Sequence, residues 1–377
     1  MKLIDADAHV IESEATWKYL SPEFRARRPV AMVAPEDTNL HDYNTFWLID
    51  RKVRHFGATP IPGSAKARSK PISAGCQELT DMPARLAAMD KGNVEKQVVH
   101  PSFCTSVLTE DPDFEVELLK SYNSFMADRC AQSNGRLFFN AVVSFRRPEA
   151  AVAEIRRLKE LGGMVSILAR GIQWDKPLDH PDHYPIYAEC ERQNLPIVVH
   201  LGAYCPAISG MFDGQPQPSG KYKTFYPPRS RRLVSTLVVQ YGFYSLVESS
   251  LIDDFPKLRW AFLEAGGSEW VVGATSAIGR AGTKDCRRYF DEGRIFVGCE
   301  PDDDLNWVAK KIGTGGLLAA SDMPHTDEAS HDDVVSEFLK RDDLSKDFVE
   351  AMVRKNALRL FDFDQALPKT KAKLVSA

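Results

Sequence analysis

Eight short runs of branched and aromatic residues recur along the chain, at 2–7, 94–102, 136–145, 164–170, 196–202, 258–267, 294–300 and 316–322. Segments with apolar residues at helical spacing lie between them, such as 113–134, 148–161 with Pro148 near its first turn, and 231–254. Eight strand–helix units without a Gly-rich phosphate-binding fingerprint favour a (β/α)8 barrel, the TIM-barrel α/β class, over a doubly wound sheet. Two insertions interrupt the alternation after the first and fifth strands, at 13–90 and 203–230. In a barrel both would sit on the face where active sites are built. The first carries Arg25, Arg27, Arg28 and Arg51, which read as a solvated face, with an anion-binding or oligomer surface as the alternative. The expected organisation is one domain over 1–364 and a C-terminal tail over 365–377.

Composition removes several functions. With 44% hydrophobic residues the chain is globular, and its formal net charge of −4 gives no broad basic footprint for nucleic acid. No apolar run approaches the ~18 residues that suggest a membrane span. The seven cysteines form no CxxC pair and are odd in number, which fits a reducing cytoplasm better than a disulfide framework.

If the barrel houses an enzyme, ionisable residues should gather at the C-terminal ends of its strands. The first strand runs into Asp5, Asp7 and His9, and alternate residues of a strand share a face, so the three project together. His100 ends the second strand, Arg170 the fourth and His200 the fifth. Glu264, Glu300 and Asp322 end the sixth, seventh and eighth, with His325 just after. Each has a plain structural reading: Asp322 as a helix N-cap, Glu264 as a partner of Arg170, a lone histidine as a hydrogen-bonded core residue. Imidazoles and carboxylates converging on one mouth instead form a donor set for a divalent metal.

The stretches "IDADAHVIE", "RLAAMDKGNVEKQVVHPS", "SYNSFMADRCAQSNGRLFFNAVV", "PIVVHLGA", "FPKLRWAFLEAGGSEWV", "ASDMPHTD" and "KNALRLF" run through nearly the whole chain. Together they resemble the amidohydrolase superfamily, in its family 2 branch, which includes aminocarboxymuconate-semialdehyde decarboxylase and related aromatic-acid decarboxylases. The resemblance implies that Asp7, His9, His200 and Asp322 are metal ligands, and it implies a homodimer. Two departures stand out. Glu264 occupies the strand where many members carry a further histidine, and "MVSILAR" lacks the lysine of the binuclear hydrolases.

The leading expectation is a hydrolase holding one divalent metal, zinc or manganese, and acting on a small carboxylated or amide-bearing compound. Asp322 would act as general base on a metal-bound water, with His100 and Glu264 as further catalytic groups and Arg170 and His325 binding substrate. The alternatives are a non-oxidative decarboxylase of an aromatic or muconate-type acid, an oxygenase using iron or a two-metal centre, and an inactive partner subunit in a mixed complex with a paralogue. Phe103, Tyr204, Phe212, Tyr222 and Phe225 would suit a ring or an acyl chain at the mouth.

Overall fold

The computed structural model describes residues 1–35, 37, 45–54, 72–202, 229–282, 284–325 and 330–367, without the side chains of 229–235. All eight expected strands form: β1 (Leu3–Val10), β2 (Val94–Pro101), β3 (Leu137–Val142), β4 (Met164–Ala169), β5 (Ile197–His200), β6 (Trp260–Leu263), β7 (Ile295–Gly298) and β8 (Leu317–Leu318). They pair in parallel and in chain order, as a (β/α)8 barrel requires. The seam between β8 and β1 is joined by main-chain bonds, Asp322 N–H to Asp7 O at 2.9 Å and His9 N–H to Met323 O at 2.6 Å.

One buried layer takes a side chain from every strand: Ile4, Val98, Phe138, Val165, Val198, Ala261, Phe296 and Leu318. Ala357, Leu360, Phe361 and Phe363 belong to the same cluster. Counting two residues onward from Val98, Phe138 and Val198 keeps to the same face and reaches His100, Asn140 and His200. Polar chemistry therefore begins one layer above the apolar plug.

The helices follow their sequence signals. Asp111 accepts from the N–H groups of Asp113 and Phe114 and caps Pro112–Ala131. Pro148 opens Pro148–Leu161, and Gly162, at φ 84°, ends it. Helix Arg229–Glu248 is followed by a separate short helix, Leu251–Asp254. The first insertion holds an antiparallel sheet of Val30–Val33, Thr45–Ile49 and Lys52–Arg54. Its Trp47 ring meets Trp17 at 5.8 Å and Phe103 at 5.9 Å, so Phe103 is buried between the insertion and the loop after β2. Arg27 joins Asp50 at 2.8 Å and Asp111 at 2.9 Å, and its guanidinium sits over the Phe114 ring. Tyr204, Phe212, Tyr222 and Phe225 lie outside the described residues. The polypeptide stays packed past Asp364: Ala366 is buried and its carbonyl accepts from Gly163 N–H at 2.7 Å.

Candidate metal centre

The strand ends bring six side chains together: Asp7 and His9 from β1, His200 from β5, Glu264 just beyond β6, and Asp322 and His325 beyond β8. Asp7, His9, His200 and Glu264 form one donor group, and His9, Glu264, Asp322 and His325 a second that overlaps it. Within each group the donor atoms all lie within 4.8 Å of one another. Glu264 and Asp322 take φ values of 51° and 52°, a left-handed backbone that costs of order 1–3 kcal/mol for such residues and clusters at functional sites. Asp5 does not join them. A register shift between Asp5 and Ala8 in the β1–β2 pairing bulges the strand, and bulges re-aim side chains.

Second contacts set the tautomers. Nδ1 of His9 faces Pro101 O at 3.0 Å, and Nδ1 of His200 faces Leu201 O at 2.8 Å. A carbonyl only accepts, so Nδ1 carries the proton in both rings and Nε2 keeps its lone pair for a cation. His200 Nε2 is 3.3 Å from both oxygens of Asp7. His9 Nε2 lies 3.1 Å from Asp7, 3.3 Å from Asp322 and 3.8 Å from Glu264, yet this buried nitrogen makes no hydrogen bond. An imidazole lone pair aimed at three carboxylates fits a cation between them.

Without a cation, protons balance the charge. Burial pushes Glu264 well above the usual carboxylate range; Asp322 and Asp7 add to this and His200 opposes it. Burial works against a charged His200, but Asp7 and Glu264 raise it to about 10. Burial, helped by His325, holds His9 well below its usual value. Burial alone would raise Asp7, whereas His200 and His100 keep it well below the carboxylate range. A divalent cation would displace the protons on His200 and Glu264. The donor set fits such an ion, with hard oxygens and neutral imidazoles together.

The amidohydrolase family model matches residues 4–363. The chain belongs to the amidohydrolase family. It is 22% identical over 294 residues to gamma-resorcylate decarboxylase of Rhizobium sp. strain MTP-10005, covering 75% of this chain and 87% of that protein. An amidohydrolase from Mycobacterium avium subsp. paratuberculosis superposes with a TM-score of 0.72 at 20% identity, covering 95% and 98% of the two chains. The 5-carboxyvanillate decarboxylase of Novosphingobium aromaticivorans, solved with manganese and 4-hydroxy-3-methoxy-5-nitrobenzoic acid, superposes at 0.62 and 15% identity, covering 96% of each chain.

The remaining site residues of this amidohydrolase separate by what they touch. His100 is stacked on His200, with ring centroids 5.0 Å apart, but both its nitrogens are committed. Nε2 donates to Ala6 O at 3.0 Å and Nδ1 accepts from Asn140 Nδ2 at 2.9 Å, leaving no lone pair for a metal or a proton. Arg170, expected to bind substrate, instead donates to the carbonyls of Thr105, Ser106 and Cys104 in the loop after β2. Its stem crosses Gly202, where a Cβ would stand 3.0 Å from Arg170 Cγ and 2.9 Å from Thr105 O. Glu300 meets His331 at 3.0 Å. His325 Nδ1 lies 2.8 Å from Asp322 Oδ1, and its ring stacks 4.0 Å from His9.

Three residues were missed by sequence reasoning. Ser330 Oγ donates to Asp322 Oδ2 at 3.0 Å, Ser102 Oγ meets His325 Nε2 at 2.8 Å, and the buried Glu12 accepts from three loop N–H groups. Serines and a lone glutamate in loops carry no spacing signal. Glu12, three residues beyond His9 in the opening motif, was the one that could have been flagged.

Proposed function

We propose that this amidohydrolase releases CO2 from a hydroxylated aromatic acid, with Asp7, His9, His200 and Asp322 holding one zinc or manganese ion and Glu264 beside them. The observation that carries the reading is the position of Asp322, a carboxyl that faces the donor set through His9 and is backed by His325 and Ser330. The similarity to gamma-resorcylate decarboxylase favours this over the hydrolysis expected first from the sequence. The ion, when bound, supplies a Lewis acid able to engage a carboxylate and an adjacent phenolic oxygen. The chain does the rest. Nδ1 contacts to Pro101 and Leu201 orient His9 and His200, and Asp322 gives a proton to the ring carbon as the carbon–carbon bond to CO2 breaks.

Glu264 favours a second reading. Its Oε2 faces His200 at 3.7 Å, while Oε1 faces His9 at 3.8 Å and His325 at 4.0 Å, so its two oxygens serve the two overlapping donor groups. A carboxylate so turned suits a two-metal centre, which would carry the oxygenase expectation. The test is to load the protein separately with zinc, manganese and iron, count metal per chain, and offer 2,6-dihydroxybenzoate and related acids. CO2 release with about one ion per chain supports decarboxylation. Oxygen uptake with two irons per chain replaces it with oxygenation. Hydrolysis of amides without CO2 release returns the function to the hydrolase, and a metal-free chain inert alone but required by a paralogue returns it to the partner subunit.

We further propose a cytoplasmic homodimer, in line with the resemblance and with six described cysteines that are all buried and free. Light scattering at working concentration checks the dimer. Among the described residues no helix is long and apolar enough to cross a membrane.

A further inference from the structure

Ser102 Oγ, His325 and Asp322 are connected in the order of a serine–histidine–aspartate triad, at 2.8 Å on each side of the ring. A nucleophilic serine needs donors for the oxyanion it creates. The N–H groups of its own loop are already committed: those of Ser102, Phe103 and Cys104 donate to the Glu12 carboxylate at 3.2, 2.8 and 2.8 Å. Ser102 is also only 3% exposed. The connectivity therefore acts toward its other end.

We propose that Ser102 and Glu12 are positioning residues that hold His325 against Asp322, and this rests on the reading of Asp322 as the proton-bearing carboxyl. Nδ1 of His325 stands 2.8 Å from Asp322 Oδ1, and with the ring proton assigned to that nitrogen, Nε2 is left with a lone pair that needs a donor. The Ser102 hydroxyl is that donor. Its place is set by a loop gripped through both kinds of peptide group. The buried Glu12 anion takes the N–H groups of 102–104, and the buried Arg170 cation takes the carbonyls of 104–106. Loss of Ser102 leaves a buried acceptor unpaired and frees the ring to turn. Loss of the Glu12 charge loosens the segment that carries Ser102.

The test uses the zinc-loaded protein, which is diamagnetic. A far-downfield proton resonance of His325 Nδ1–H, assigned by its absence in His325→Gln, reports the contact to Asp322 without any substrate. Ser102→Ala and Glu12→Gln are expected to lose or broaden it, Ser102→Thr to keep it, and all three to retain zinc. In Ser102→Ala, kcat for CO2 release from 2,6-dihydroxybenzoate should fall roughly tenfold or more at unchanged KM, the scale of an outer-contact loss at a metal site. Retention of the resonance in Ser102→Ala overturns the proposal, as does its absence from the wild type. Labelling of Ser102 by a fluorophosphonate probe overturns it too, since that would make the serine a nucleophile. If the wild type releases no CO2, the decarboxylase reading fails while the resonance still decides the positioning.

Discussion

Asp5 and Asp7 stand two residues apart on one strand and are equally buried, yet they have opposite fates. Both oxygens of Asp5 are filled, by Ser321 N–H at 2.9 Å, Ser321 Oγ at 2.6 Å and Gln97 Nε2 at 3.0 Å. Among the described residues Asp7 faces only imidazoles, those of His9, His200 and His100, and takes no main-chain or amide donor comparable to those on Asp5. His100 and His200 repeat the contrast as stacked rings. One has both nitrogens bonded within the fold, and the other turns Nε2 toward carboxylates. Burial does not distinguish a structural polar group from a candidate metal ligand here. What distinguishes them is the partner: amide, hydroxyl and carbonyl groups of the fold for Asp5 and His100, other ionisable side chains for Asp7 and the Nε2 of His200.

Breaking the open side should cost most. Asp322→Asn is expected to lower CO2 release by roughly 10³-fold, within the range of a lost general acid–base group, as initial rates will show. His200→Ala should weaken zinc binding beyond the roughly 10–100-fold of an outer-contact change. His100→Asn should stay within that range, and plasma mass spectrometry after dialysis separates the two. Equal zinc loss in both variants would erase the contrast between the rings.

The closed side predicts a pH effect with a definite sign. Burial, with His200 adding and Asp7 opposing, pushes His100 down to about 4, against about 6.5 in an unfolded chain. Between those values the unfolded chain binds a proton that the native one refuses, so stability falls as pH drops. The contribution is fully present above pH 6.5 and is lost toward pH 4, about 3 kcal/mol over the window. Urea titrations of metal-free wild type and His100→Asn should diverge by that slope. Parallel curves would mean that His100 takes a proton within the fold.

The fold was legible because its signal is redundant: eight apolar runs, two faces each, separated by helical spacing. The mouth was legible because strand ends in a barrel share one face: Asp7, His9, His200 and Asp322 were expected there as ligands, with Glu264 as a catalytic group and His325 as a substrate group, but His100, Arg170 and Glu300 were grouped with them. Direction was not legible. His100 and His200 sit at equivalent strand ends, and only Asn140 and the Ala6 carbonyl close the first. Arg170 ends a strand facing the mouth, but the carbonyls of 104–106 claim its guanidinium. The antiparallel sheet in the first insertion was missed because its strands are short and sit in loop-like composition.

Asp5→Asn is the smallest of these changes and the sharpest for the comparison. Arg85 Nε donates to Gln97 Oε1 at 2.9 Å and so fixes the Gln97 amide with its NH2 toward Asp5. Asp5 Oδ1 then meets the Ser321 N–H and Oδ2 the Gln97 NH2, both donors only, so an asparagine in either orientation must set its own N–H against one of them. One charge-assisted bond is lost and a buried donor is left facing a donor, a cost of about 2 kcal/mol. Because Ser321 adjoins Asp322, the damage passes close to the centre without touching a proposed ligand. The expected result is a lower urea midpoint with zinc content unchanged, whereas Asp7→Asn should lose zinc. If Asp5→Asn empties the site as well, the bulge does not insulate the two aspartates and β1 delivers Asp5, Asp7 and His9 as a single unit.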